Sequence, residues 1–122
     1  MLVFAVTSKG ASSDNIIPEL FENTEYVLFY DTDTGRLLDT IARNGQSDKQ
    51  LAEVIADKKA EAVICGPLNR DAYDVIASDD NSITRYNGVG LTVKDALDAA
   101  LNYKLDIIRD PIDGVGCIGS KF

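Results

Sequence analysis

The chain has 122 residues, with 20 acidic and 12 basic side chains and no histidine, for a formal charge of −8. That length fits one domain with a self-supporting core, and 45% hydrophobic with 26% charged residues is the balance of a folded protein, not a disordered acidic segment. Without imidazole there is no Ser-His-Asp or Cys-His catalysis and no histidine-ligated zinc. The acidic balance disfavours nucleic acid and anionic membranes as partners.

Leu2 to Val6 is an apolar run too short for a signal-peptide core or a membrane span, and no basic segment precedes it, which predicts cytoplasmic residence. The same run reads as a strand covered on both faces, central in a sheet, followed by a polar loop from Thr7 to Asp14. Glu25 to Asp31 and Arg36 to Ile41 are rich in aromatic and branched residues, and Thr32-Asp33-Thr34-Gly35 between them suits a hairpin turn. Ser47 and Gln50 form a capping box ahead of an amphipathic helix carrying Leu51, Val54 and Ile55. Ala62 to Gly66 reads as a buried strand, Asn69 caps a helix with Ala72, Val75 and Ile76, and Ser82 to Tyr86 reads as a strand. Thr92 caps a last helix whose stripe runs through Val93, Ala96, Leu97, Ala100, Leu101 and Leu105.

The predicted order is βββαβαβα, an α/β domain over residues 1–108 with a flexible tail over 109–122. Alternation in the second half requires parallel pairing through crossovers, while the hairpin requires antiparallel pairing, so the five-stranded sheet is mixed. Such an arrangement, with helices on both faces, looks like the three-layer ribonuclease H-like fold.

In open α/β sheets ligands bind beyond the carboxyl ends of parallel strands. Three loops qualify, one after each predicted parallel strand. They hold Ser8 and Lys9, then Cys65, Gly66, Asn69 and Arg70, then Asn87, Gly88, Gly90 and Thr92. Two helix N-termini and two cations there predict an anion site in an otherwise negative chain, although the same Gly and Asn residues also suit plain turns and caps.

More specific motifs fail. Gly88-x-Gly90 meets Val93 where a dinucleotide fingerprint needs glycine, and no Gly-Lys-Ser or Gly-Lys-Thr sequence makes a P-loop. Asp31-x-Asp33-x-Gly35 places its glycine one position early for a calcium loop. Two-metal nuclease chemistry needs an aspartate on the first strand, and Leu2 to Val6 has none.

The two cysteines, Cys65 and Cys117, are too few for a disulfide framework and are expected to be reduced. Cys65 reads as a core thiol or, from its place at the rim, a soft metal ligand; Cys117 lies in the glycine-rich tail. Two thiolates suit a copper or iron centre, but their separation carries no spacing signal.

Over roughly residues 2–105 the pattern resembles the dinitrogenase iron-molybdenum cofactor biosynthesis family, the NifX-like domains also found at the end of NifB-type proteins. The resemblance lies in the opening apolar strand and in Phe21 followed by Glu25-Tyr26-Val27-Leu28-Phe29-Tyr30-Asp31. It continues in the Thr34-Gly35 turn, Ala62-Val63-Ile64-Cys65-Gly66 and Gly90-Leu91-Thr92-Val93-Lys94-Asp95-Ala96-Leu97. It implies a non-enzymatic, nitrogen-fixation-related carrier for an iron-sulfur or molybdenum-containing cluster or its precursor, working with a cluster-assembly protein partner. Family members commonly carry His-Phe-Gly before the second strand, the histidine being a candidate cluster contact. Here the stretch is Leu20-Phe21-Glu22, and Pro67-Leu68-Asn69 replaces a second glycine-bearing turn. Cys65, Gly66, Gly88 and Gly90 are the matching positions that remain. The alternatives are an interaction or regulatory module that keeps the scaffold without the cluster, and an enzyme acting on a small anion.

Overall fold

The computed structural model describes residues 2–112, so Cys117 and the part of the expected tail from 113 to 122 lie outside the described residues. Five strands, β1 (Val3–Ser8), β2 (Tyr26–Asp31), β3 (Leu37–Ala42), β4 (Ala62–Cys65) and β5 (Thr84–Asn87), form one sheet in the order β3-β2-β1-β4-β5. β1 is central, antiparallel to β2 and parallel to β4, and β4 is parallel to β5. Three helices, α1 (Asp48–Asp57), α2 (Arg70–Ile76) and α3 (Val93–Leu101), and a short 3-10 turn at Phe21–Asn23 complete the fold. The mixed sheet and the element order follow the sequence pattern.

Period-two alternation explains the two layers on the sheet. Ala5, Val27, Phe29, Val63 and Cys65 face one side, where they pack with Leu51, Ala52 and Ile55 of α1 and Ala72 and Ile76 of α2. Phe4, Val6, Leu28, Tyr30, Ala62 and Ile64 face the other, under Val93, Ala96, Leu97 and Ala100 of α3. β1, β2 and β4 read as nearly continuous apolar runs because both of their faces are covered.

Boundaries move by one or two residues from the sequence reading. β2 begins at Tyr26, β3 spans Leu37–Ala42 and β5 spans Thr84–Asn87. α3 stops at Leu101, and Tyr103 turns the chain with φ of 58°, so Leu105 packs against the α3 core from beyond the helix. The hairpin turn is closed by Asp31, whose carboxylate accepts from the Asp33 amide at 2.8 Å and whose carbonyl accepts from Gly35, at φ 73°. That positive φ is the reason for glycine there.

Residues after α3 form a strap along the β5 edge. Asn87 donates to the Asp106 carbonyl at 2.9 Å and Ile108 donates to that of Arg85 at 2.7 Å. The strap then reaches the rim, where the Ile112 amide donates to the Leu68 carbonyl at 2.8 Å. Arg85 secures it through Nε to the Ile108 carbonyl at 3.1 Å and by stacking its guanidinium 5.0 Å from the Tyr73 ring centre. The outer edge of β5 is thereby paired.

Candidate functional site

β1, β4 and β5 run in the same direction, so Ser8, Cys65 and Asn87 end them on one rim. β3 ends there too, since Ala42 stands opposite Tyr26, which stands opposite Ser8. The N-termini of all three helices open on that rim and are closed by their own side chains. Ser47 and Gln50 form the reciprocal capping box of α1. Asn69 Oδ1 accepts from the Ala72 amide at 3.0 Å in α2, and Thr92 Oγ1 accepts from that of Asp95 at 3.2 Å in α3. Arg43 joins the first two ends: it pairs with Asp48, which also accepts from Asn69 Nδ2, and it donates to the Glu22 carbonyl at 2.8 Å.

The sequence-derived residues therefore gather at one end of the sheet, but the segment from Lys9 to Leu20 folds back across it. The Ile17 amide donates to the Leu91 carbonyl at 3.0 Å and that of Phe21 to the Pro67 carbonyl at 3.0 Å. Val93 and Lys94, in the first turn of α3, donate to the carbonyls of Asn15 and Ser13, both at 2.9 Å. The Gly88 amide donates to the Cys65 carbonyl at 3.0 Å, and Val89 donates to Asn87 Oδ1 at 3.0 Å. These amides, which the sequence suggested for a ligand, are spent inside the protein. The glycines have a packing reason: a Cβ on Gly66 would stand 2.5 Å from the Glu19 carbonyl oxygen, and one on Gly88 would stand 2.6 Å from Ile64 and 2.7 Å from Ile17. Gly90, exposed, has φ of 89°. Ser8 is buried and turns the chain by bonding both backbone groups of Gly10. Leu20 is half-buried ahead of the 3-10 turn, on the same segment.

Cys65 is fully buried among Phe21, Leu68 and Val63. Burial pushes its thiol from 9.0 up to about 12, with the Arg85 guanidinium pulling weakly the other way. So far from solvent, the thiol packs as a core side chain in this arrangement. Among the described residues no group of three or more cysteine, aspartate and glutamate side chains is placed to hold a metal ion. Lys9 is exposed just beyond β1, and Arg70 is exposed as the first residue of α2.

Beside the rim, on the α3 side, a groove of about 490 Å³ opens between the loop of Ala11, Ser12 and Ser13, Lys94 and Leu97 of α3, and Tyr30, Gly35 and Leu37 of the hairpin. Lys94 is exposed and has no ion-pair partner among the described residues. Tyr30 is only 6% exposed, and burial pushes its phenol up. No motif in the sequence marks this groove. The alternation of Leu28 and Tyr30 signalled their shared face, but only the folded-back loop builds the opposite wall.

Comparison with known proteins decides the family. A family model described as Dinitrogenase iron-molybdenum cofactor matches residues 1–103. The chain belongs to that family. Among solved structures, the apo form of the orange protein from Desulfovibrio gigas is similar with a TM-score of 0.81 at 19% identity, over 93% of this chain and 98% of that one. A NifB-like protein from Thermotoga gives 0.73 at 22% identity, over 88% and 93%. A dinitrogenase-like protein from Methanocaldococcus jannaschii gives 0.63 at 20% identity, over 91% and 100%. At these identities the structural likeness shows the fold. No curated protein matches the chain. Among the described residues no helix is long and apolar enough to cross a membrane.

Proposed function

We propose that this domain is a non-enzymatic carrier that holds an iron-sulfur or molybdenum-containing cluster, or its precursor, during cofactor assembly. The family match over residues 1–103 carries the reading. Burial of Cys65 and the lack of a clustered acid or thiol set among the described residues favour a cargo held without covalent protein ligands. The contacts suited to such an anion are charge and hydrogen bonds from Lys9, Arg70 and the hydroxyls of the loop that crosses the rim.

Anaerobic incubation with ferrous iron, sulfide and molybdate, followed by desalting, metal analysis and absorption spectra, tests the proposal. Near-stoichiometric metal with ligand-to-metal bands is expected, unchanged in Cys65→Ala and weakened in the Lys9→Gln/Arg70→Gln double variant. Substoichiometric metal without such bands overturns it. Loss of the bands in Cys65→Ala overturns the noncovalent part alone.

A further inference from the structure

The two outer edges of the sheet are finished differently. That of β5 is paired along the strap by the bonds from Asn87 to Asp106 and from Ile108 to Arg85. That of β3 has no strand beside it among the described residues, since β3 ends the sheet order. Arg43 donates across to the Glu25 carbonyl, so by antiparallel alternation the amides and carbonyls of Thr40 and Ala42 point away from β2. Such a row of backbone groups is a template for another strand. The sequence of β3, Leu37-Leu38-Asp39-Thr40-Ile41-Ala42, makes the template stronger, because it is apolar and branched with no proline or glycine. Leu37 and Leu38 are 46% and 45% exposed, and Asp39 carries the only charge in the strand.

Asp39 also occupies the edge physically. Its Oδ1 accepts from the Thr40 amide at 2.8 Å, taking the outward donor near the middle of the strand. Its Oδ2 accepts from Lys58 Nζ at 2.5 Å, at the end of α1. Lys58 in turn lies 5.9 Å from the ring centre of Phe29, on the strand paired with β3. The hydrogen bonds from Lys58 and from the Thr40 amide hold the Asp39 carboxyl below its ordinary range, so it remains an acceptor.

We infer that Asp39 is an edge guard, whose contact with the Thr40 amide keeps a second copy of this chain from adding its own β3 to the sheet. A second copy is the partner that the edge fits, because antiparallel pairing about Thr40 sets the outward amide of each copy against the outward carbonyl of the other around one twofold axis. Each copy that keeps the Asp39 contact withholds one donor from that pair. The exposed ion pair of Asp39 with Lys58 contributes little to folding, so removing the guard changes association and leaves the fold. The inference goes beyond the carrier reading and does not depend on it.

Sedimentation velocity together with amide exchange at increasing protein concentration tests it on the full chain. Wild type is expected to show no concentration-dependent protection at Thr40 and Ala42. Asp39→Ala should gain that protection and associate at concentrations lower by about tenfold or more, the worth of one hydrogen bond regained in each copy. Asp39→Val gives the same readout should the alanine variant lose stability. Asp39→Asn, which keeps an oxygen for the Thr40 amide, should stay close to wild type, separating the contact from the charge. Ala42→Pro removes an outward amide that β2 does not use, and added to Asp39→Ala it should cancel the association. Protection of the β3 edge in wild type, or association of the alanine and valine variants no stronger than that of wild type, overturns the inference. So does association without protection at Thr40 and Ala42, or Asp39→Asn associating as strongly as Asp39→Ala.

Discussion

On one face of the sheet two helices cover Ala5, Val27, Phe29, Val63 and Cys65; on the other, α3 alone covers Phe4, Val6, Leu28, Ala62 and Ile64. The strands contribute alternately to both faces, so the difference arises from the number of helices, not from strand composition. Two packed helices close the first face, where the aromatic rings of Phe21 and Phe29 are almost wholly out of solvent. One helix cannot span the sheet from β5 to β3, and the uncovered strip beside Tyr30 and Leu37 becomes the groove. The closed face is packed dry, and the half-covered face keeps an open groove.

Truncation separates the faces most strongly. Phe29→Ala should cost about 3–5 kcal/mol in urea unfolding, while Leu37→Ala on the open strip should cost less than about 1 kcal/mol. Equal losses would break the contrast. Methyl insertion beneath the crossing loop gives the next largest effect. Gly66→Ala, which drives a carbon against the Glu19 backbone, should cost about 2–3 kcal/mol. Gly88→Ala, on the α3 side, meets the side chains of Ile64 and Ile17 and should cost about 1 kcal/mol, because Ile17 has a rotatable end.

The dryness of the closed face is also readable from pH. Cys65 is an acid whose folded value, about 12, lies above its ordinary 9.0, so its contribution to stability is full below pH 9.0 and is lost as pH climbs towards 12. Wild type should therefore lose up to about 1.4 kcal/mol per pH unit in that window relative to Cys65→Ala. Parallel curves would show the thiol to be solvated. The smallest expected change is a gain: Thr24 Oγ1 is buried without a partner among the described residues, so Thr24→Val should add about 1 kcal/mol.

Much of the fold is legible in the chain because each part rests on local chemistry. The caps at Ser47, Asn69 and Thr92 fall where their side chains meet the first free amides, and most of the stripes they precede are buried, although Leu101 is exposed at the end of α3 and Val54 and Val75 are half-buried. The site is less legible. Ser8, Cys65, Gly66, Asn87 and Gly88 read as a ligand-facing rim because glycine near a strand end has the same letters whether a phosphate or a backbone approaches it. The Glu19 carbonyl beside Gly66 is the approaching group here. Tyr30 and Lys94, distant in sequence and unremarkable alone, become neighbours of one groove only through the hairpin, α3 and the returning loop.

The sequence by itself determined the element order, the mixed sheet and the end of it where the loops gather, since periodicity, caps and crossover rules act over short stretches of chain. Tertiary structure decided what that end offers: amides spent on the loop of residues 9–20, a thiol sealed at the bottom, and a groove displaced to the side. The reason is that a loop's path is fixed by backbone hydrogen bonds to distant carbonyls, such as Ile17 to Leu91 and Phe21 to Pro67. Those bonds are made by groups that every residue carries and no side chain advertises.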